Sequence, residues 1–154
     1  MTQDDLIKDT AESFELPTSL VQAIVSVESG GNTWAVRYEP DFYTRYVRNR
    51  NFEVFRGCSQ ATEGVMRACS FGLMQVMGQT VRELGFREAF LTELCDPRVG
   101  LFWGCKYLQK QVVRYKGDIK MAVAAYNAGT AFISNGMFRN QSYVDKVLAA
   151  MKPL

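Results

Sequence analysis

The most constraining feature of this chain is a wide apolar belt that ends in a carboxylate. Between Ser19 and Glu28, Leu20, Ala23, Ile24 and Val27 fall on one helical face, and Val21 and Val25 on the face beside it. A belt that wide must be covered from several sides, so the spacing predicts a buried central helix with a core built around it. Pro17-Thr18 is a start signal for that helix, and Ser29-Gly30-Gly31-Asn32 breaks it directly after Glu28.

The remaining segments are read in the same way. Thr2 to Phe14 is a short, polar, peripheral helix. Phe71 to Leu84 has helical spacing, with Leu73, Val76, Val81 and Leu84 apolar. Asp96-Pro97 pairs an N-cap with proline at the first helical position and opens a helix to about Tyr115. Gly117 ends that helix. Asp118 caps the next, with Ile119, Ala122, Val123 and Tyr126 on one face, and Ser142 caps the last. Thr33 to Tyr46 is aromatic and irregular, and Trp34 to Tyr38 has β propensity. Gly57 to Ser70 reads as a loop with one helical turn. With no internal repeat or linker, residues 1–154 are expected to form a single, mainly α domain with room for a small β excursion near residues 33–56.

Composition narrows the chemistry. There is no histidine, which excludes Ser-His-Asp and Cys-His catalysis and histidine-based zinc sites. Acid–base work then falls to Asp, Glu, Tyr, Lys or Cys. Lys and Arg number 18 against 16 Asp and Glu, a net charge of +2, too small for a dedicated nucleic-acid binder. Arg45, Arg48 and Arg50 do interleave with Tyr43, Tyr46 and Phe52, which reads as a solvated face and not as a nucleic-acid site. The four cysteines contain no C-x-x-C pair: Cys58–Cys69 and Cys95–Cys105 are candidate bridges, the alternative being four reduced, buried thiols. The first residues, Met-Thr-Gln-Asp-Asp, lead into no apolar run, so no secretory signal is expected. No window approaches the ~20 apolar residues that cross a bilayer, so no membrane insertion is expected. No metal and no cofactor are expected.

Glu28 demands an explanation. It follows Val21 and Val25 at spacings that put a carboxylate on an apolar face, at the helix end whose dipole disfavours an anion. Burial and the dipole both raise its pKa, which suits a general acid. The alternative is an exposed glutamate at a frayed helix end.

Four motifs bear on that choice. Glu28-Ser29-Gly30-Gly31-Asn32 resembles the catalytic signature of lytic transglycosylases and goose-type lysozymes. Ser70-Phe71-Gly72-Leu73-Met74-Gln75-Val76 resembles the family's Gly-Leu-Met-Gln motif, and Ala125-Tyr126-Asn127-Ala128-Gly129 its Ala-Tyr-Asn-x-Gly motif. Tyr143-Val144-x-x-Val147 resembles its terminal tyrosine-bearing helix. They occur in the family's order across residues 28 to 147. Val76-Met77-Gly78 departs from the many relatives that carry proline after the second motif.

The resemblance implies a lysozyme-like α fold and cleavage of the β-1,4 bond between N-acetylmuramic acid and N-acetylglucosamine in peptidoglycan glycan strands. It makes Glu28 the catalytic acid and then base, giving a 1,6-anhydro-muramyl end without water. Ser70, Met74 and Gln75 would line the cleft. Tyr126 and Asn127 would form the facing wall, with Tyr126 hydrogen-bonding Glu28, and Tyr143 would flank the pocket. Plainer readings stand beside these. Met74 is core filler, Ser70 an N-cap, Tyr126 a buried anchor bonded to backbone, and Asn127 with Gly129 a helix end. Gln75 is read as a ligand-facing amide. Tyr38 and Phe71, beside the motifs, are the preferred sugar-stacking aromatics.

Glu39, 11 residues after Glu28, is a candidate second carboxylate. Facing the cleft it would position water and make the enzyme a hydrolytic lysozyme. Otherwise it pairs with Arg37 or Arg45. A rival reading is a non-catalytic glycan-binding protein on the same fold. The expected setting is a monomeric bacteriophage endolysin, a virion wall-degrading enzyme or a secreted effector, acting on the cell wall after release or delivery from the cytoplasm.

Overall fold

The computed structural model describes residues 1–55 and 57–151. Thr2 opens α1 (Gln3–Ser13) with a reciprocal cap. Its hydroxyl accepts from the Asp5 amide at 3.1 Å, and the Asp5 carboxylate accepts from the Thr2 amide at 2.8 Å. Ile7 and Ala11 on α1 are fully buried, so this helix joins the core and is not merely peripheral. The belt predicted after Pro17 forms α2 (Thr18–Ser29), with Leu20, Val21, Ala23, Ile24 and Val25 buried. Gly30 stops it in the left-handed conformation, at φ 60° and ψ 24°.

Around α2 lie α6 (Pro97–Arg114), α7 (Ile119–Ala128) and α8 (Gln141–Ala150). Leu101, Cys105 and Leu108 from α6, Val123, Ala124 and Tyr126 from α7, and Val144 and Val147 from α8 complete one apolar core with α1 and α2. Each fully buried leucine or valine there contributes roughly 1.5–3 kcal/mol by leaving water. The predicted caps hold for α6 and α7. Asp96 accepts from the Arg98 amide at 2.8 Å, and Asp118 from the Met121 amide at 3.1 Å. The N-cap of α8 is Asn140, two residues before the expected Ser142.

A second core contains Phe71, Val76, Val81, Phe86, Leu91 and Leu94, with Cys69 and Cys95 among them. Above it an antiparallel sheet runs in the order β1 (Val36–Tyr38), β2 (Cys69–Phe71), β3 (Val76–Met77), with Arg37 opposite Ser70 and Ser70 opposite Met77. Among the described residues, the β excursion expected near residues 33–56 supplies only β1. The helix expected over Phe71 to Leu84 starts at Gly78, as α5 (Gly78–Glu83). Its first half turns back on itself at Gly72, φ +72°, and Gln75, φ +48°, neither of which fits a right-handed helix.

Gly72 is required twice over: by its φ, and because a Cβ there would strike the Leu94 carbonyl oxygen. Gly72→Ala is expected to cost on the order of 2–4 kcal/mol, from left-handed strain plus overpacking against backbone. Chemical denaturation of the variant checks this; an unchanged midpoint would remove Gly72 from the fold's requirements.

The loop expected at Gly57 to Ser70 contains α4 (Gln60–Arg67), capped by Ser59 through the Thr62 amide at 3.1 Å. Its buried face carries Glu63 and Gly64, so no apolar period announced it. Glu63, 1% exposed, accepts from Arg67 Nε at 2.8 Å and from Arg82 Nε at 2.8 Å. Arg82 also donates to the backbone carbonyls of Phe86 at 3.0 Å and Glu88 at 2.7 Å. One carboxylate thus joins α4, α5 and the loop after α5.

Three short pieces complete the described residues, one of them a 3-10 turn at Leu91–Cys95 before α6. α3 (Pro40–Phe42) continues into a π-helical turn, Tyr43–Val47. A two-stranded hairpin, β4 (Ile133–Ser134) and β5 (Met137–Phe138), turns through Asn135 and Gly136, both at positive φ. That Asn-Gly pair is the sequence signal for such a hairpin. All four cysteines are free thiols, three buried and Cys58 partly so, and neither candidate bridge is formed.

Candidate active site

Glu28 is the penultimate residue of α2, and the helix end is held from several sides. The Ser29 hydroxyl donates to the Leu73 carbonyl at 2.8 Å and accepts from the Gly31 amide at 3.2 Å. Thr33 hydrogen-bonds the Cys95 carbonyl. The breaker residues after Glu28 therefore anchor it to the turn between β2 and β3 and to the segment before α6.

The Glu28 side chain lines a cavity of about 680 Å³, whose walls come from both cores. α7 supplies Tyr126 and Asn127, and the sheet supplies Arg37, Ser70, Val76 and Met77. Gln75 and Glu39 come from the adjoining turns. Burial raises the Glu28 pKa above its ordinary value of 4.5, against smaller opposing effects from the Tyr143 hydrogen bond and the Arg37 charge. Tyr143 Oη donates to Glu28 Oε1 at 2.7 Å. That contact occupies one carboxyl oxygen. The proton of an un-ionised Glu28 is then best carried on Oε2, since Oε1 is an acceptor.

The resemblance implied Tyr126 as the partner of Glu28; the structure corrects that expectation and bears out the plainer reading of Tyr126 as a buried anchor bonded to backbone. Tyr126 is buried, and its hydroxyl donates to the Met74 carbonyl at 2.7 Å. It fixes the turn of the second motif from below, while Tyr143, arriving from α8, reaches the carboxylate. The Tyr143 hydroxyl is in turn held well above its ordinary pKa by burial and by Glu28, so it remains a donor.

Met74 does not line the cleft as the resemblance implied, and its plainer reading as core filler holds. Its side chain is fully buried, seated where Gly104 of α6 lacks a side chain; a Cβ there would stand 2.5 Å from the Met74 sulfur. Its contribution to the site is its carbonyl, not its thioether. Phe71 lies wholly inside the second core and offers no stacking face, whereas Tyr38 is exposed.

Ser70 is a strand residue and caps no helix. Its hydroxyl donates to Gln75 Oε1 at 3.0 Å. Gln75 Nε2 donates to the carbonyls of Ala35 at 2.9 Å and Gly72 at 3.0 Å. The amide read as ligand-facing spends its polar atoms on the protein, pinning a positive-φ turn at the cavity floor. An apolar-flanked amide does need partners, but the sequence does not say whose.

Glu39 lies on the same cavity and pairs with Arg37, Nε to Oε1 at 2.9 Å, with its side chain 36% exposed. Asn127, exposed at the end of α7, accepts at Oδ1 from Asn140 Nδ2 at 2.8 Å, and Asn140 Nδ2 also donates to the Ala124 carbonyl at 3.0 Å. Asn140 thereby holds Asn127 by its amide oxygen. No motif pointed to Asn140; its place before α8 was its sole signal. Among the described residues, no group of three or more His, Cys, Asp or Glu side chains is arranged to hold a metal ion. Nor is any helix there long and apolar enough to cross a membrane.

A helical core, a small three-stranded sheet and one half-buried carboxylate between them form the architecture of lysozyme-like lytic transglycosylases. The solved structure of an inactive mutant of the lytic transglycosylase Slt from Pseudomonas aeruginosa superposes with a TM-score of 0.62, at 21% identity, over 96% of this chain and 23% of that one. The chain belongs to the Transglycosylase SLT domain family, whose profile matches residues 5–148. It is similar to a transglycosylase of Enterobacteria phage PRD1, 27% identical over 144 residues that make up 94% of this chain and 41% of that protein. It is also similar to Protein IpgF of Shigella sonnei, 28% identical over 123 residues, 78% of this chain and 62% of that protein. The chain thus spans less than two thirds of the length of each.

Proposed function

We propose that residues 1–154 form one catalytic domain that cleaves the MurNAc-β-1,4-GlcNAc bond of peptidoglycan as a lytic transglycosylase. The supporting observation is the environment of Glu28: a carboxyl kept short of water, with one oxygen accepting from Tyr143 and the side chain lining the cavity. The un-ionised carboxyl gives its proton to the glycosidic oxygen as the bond from muramyl C1 to that oxygen breaks. The substrate's acetamido oxygen supports the positive charge at C1. The Glu28 carboxylate then takes the proton of the C6 hydroxyl as O6 bonds C1. Atoms balance without water, and Glu28 ends protonated as it began. A single carboxyl suffices where ordinary glycosidases use two.

Among the other residues, Ser70 and Gln75 act by shaping the floor, Tyr126 and Met74 by fixing the turn beneath it, and Asn127 by offering its amide to the sugar. Tyr143 holds Glu28 in place. The phage relative supports delivery by a virion or release during phage infection as the setting.

Mass spectrometry of digested peptidoglycan tests the reaction. Anhydro-muramyl ends are the expected product; reducing muramyl ends would replace transglycosylation with hydrolysis. That second reading draws on Glu39, which shares the cavity. A half-buried carboxylate already paired with an exposed arginine is a poor water-positioning base, since the pair holds it only weakly in one geometry. Glu39→Gln is therefore expected to lower kcat/KM by about tenfold at most, far less than the loss of a general acid. A drop matching that of Glu28→Gln would put Glu39 in the chemistry.

A further inference from the structure

The cavity beside Glu28 opens into a second one of about 350 Å³. Phe42, Tyr46, Thr80, Tyr107 and Gly129 wall both, so the two form one continuous groove. Past the shared wall the lining changes character: Arg50, Lys110 and Arg114 face a single carboxylate, Glu83. Arg50 belongs to the basic and aromatic run that follows α3. Lys110 and Arg114 lie one turn apart on α6, on the same face. Glu83 accepts from Gln79 Nε2 at 2.8 Å. Arg114 donates to the Gly129 carbonyl at 2.9 Å and the Thr130 hydroxyl at 3.3 Å, neither of them an anion. Among the described residues, none of the three cations is in an ion pair.

We propose that this arm binds the carboxylates of the peptide carried by the muramyl sugar, and so selects strands that bear peptides. The inference rests on the reading of the chain as a peptidoglycan-cleaving enzyme. With its lactyl carboxyls tied up in amides to the peptides, the saccharide backbone of that polymer is neutral and gains nothing from three cations. Its carboxylates ride on a peptide joined through a lactyl ether to the muramyl ring, the ring whose C1 Glu28 addresses. A peptide leaving that ring starts in the cavity that holds Glu28 and meets the adjoining arm next. Guanidinium groups match carboxylates with paired hydrogen bonds, and a flexible lysine adds charge without demanding one geometry.

The test compares three substrates: strands with free stem-peptide carboxylates, strands with those carboxylates amidated, and strands stripped of peptide by an amidase and then amidated at the freed lactyl carboxylates. The wild-type chain is expected to cut the first with a kcat/KM about fivefold or more above the other two, as a few exposed charge pairs permit. The ratio should shrink as salt rises. In Arg50→Gln/Lys110→Gln the ratio should fall towards one, and because it is a ratio, any general loss of activity cancels. Equal cutting of all three strands by the wild type overturns the inference alone. So does a preference that persists undiminished in the double variant, or a uniform loss on all three strands with the ratio unchanged, which would make the arm a glycan site. A wild-type chain that cuts none of them overturns the enzymatic reading as well.

Discussion

Glu28→Gln is expected to reduce peptidoglycan cleavage by on the order of 10²–10⁴-fold while leaving the fold unchanged, because the amide keeps the shape and cannot transfer the proton. Turnover measured on purified peptidoglycan, with circular dichroism as the control for folding, checks this; a folded variant that still lyses walls would end the assignment. The same substitution carries a signature in stability. Burial raises the Glu28 pKa in the folded state, so between its ordinary value of 4.5 and the raised value the folded chain binds more protons than the unfolded one. Stability attributable to this group therefore falls as pH rises through that window, and the full cost is present above it. Glu28→Gln should flatten that slope and gain stability relative to the wild type at neutral pH. The activity of the wild type should fall on the alkaline side as the proton is lost. Parallel stability–pH curves for the two chains would place the carboxylate in water and remove the physical basis of its role.

The second large effect is far from the chemistry. Glu63→Ala is expected to destabilise the chain by about 3–5 kcal/mol, because it leaves Arg67 and Arg82 confined with no anion between them. That is a large share of the ~5–15 kcal/mol that holds an ordinary domain folded. The carboxylate ties α4 to α5, and through Arg82 to the carbonyls after Phe86, so the loss should spread across the second core. Urea unfolding measures it. A shift of the size seen for an exposed pair, below about 1 kcal/mol, would mean that the arginines find water when the glutamate goes.

These two glutamates mark what each level of description contributes. Glu28 is legible from the chain as a candidate, since an apolar belt, a carboxylate at its last turn and a breaker cluster are all local; that pattern alone leaves an exposed helix-end glutamate open, and the four motifs weigh against it. The same holds for α6 and α7, whose caps and stops are written within a few residues. Glu63 is not legible, because a buried carboxylate has no local pattern: its partners lie at residues 67 and 82, and only folding brings the second of them near.

The second motif teaches the same lesson in reverse. Apolar spacing from Phe71 to Leu84 imitates a helix, yet Gly72 and Gln75 sit at positive φ and the segment pairs with β1 instead. Periodicity reports which residues are buried, not which backbone hydrogen bonds bury them. Which tyrosine reaches Glu28 is likewise beyond the sequence. Tyr126 and Tyr143 both belong to motifs, but the first points down to the Met74 carbonyl and the second comes across from α8 to the carboxylate.

By itself, then, the sequence determined the buried central helix, the acid at its end and the helices that close around it, since propensity, capping and amphipathic spacing act within a turn or two. Only the tertiary structure decided the partner of that acid, the inward use of Ser70, Gln75 and Met74, the Glu63 cluster and the basic extension of the groove. Each of these depends on contacts between residues distant in the chain, whose energies exist only once the packing has brought them together.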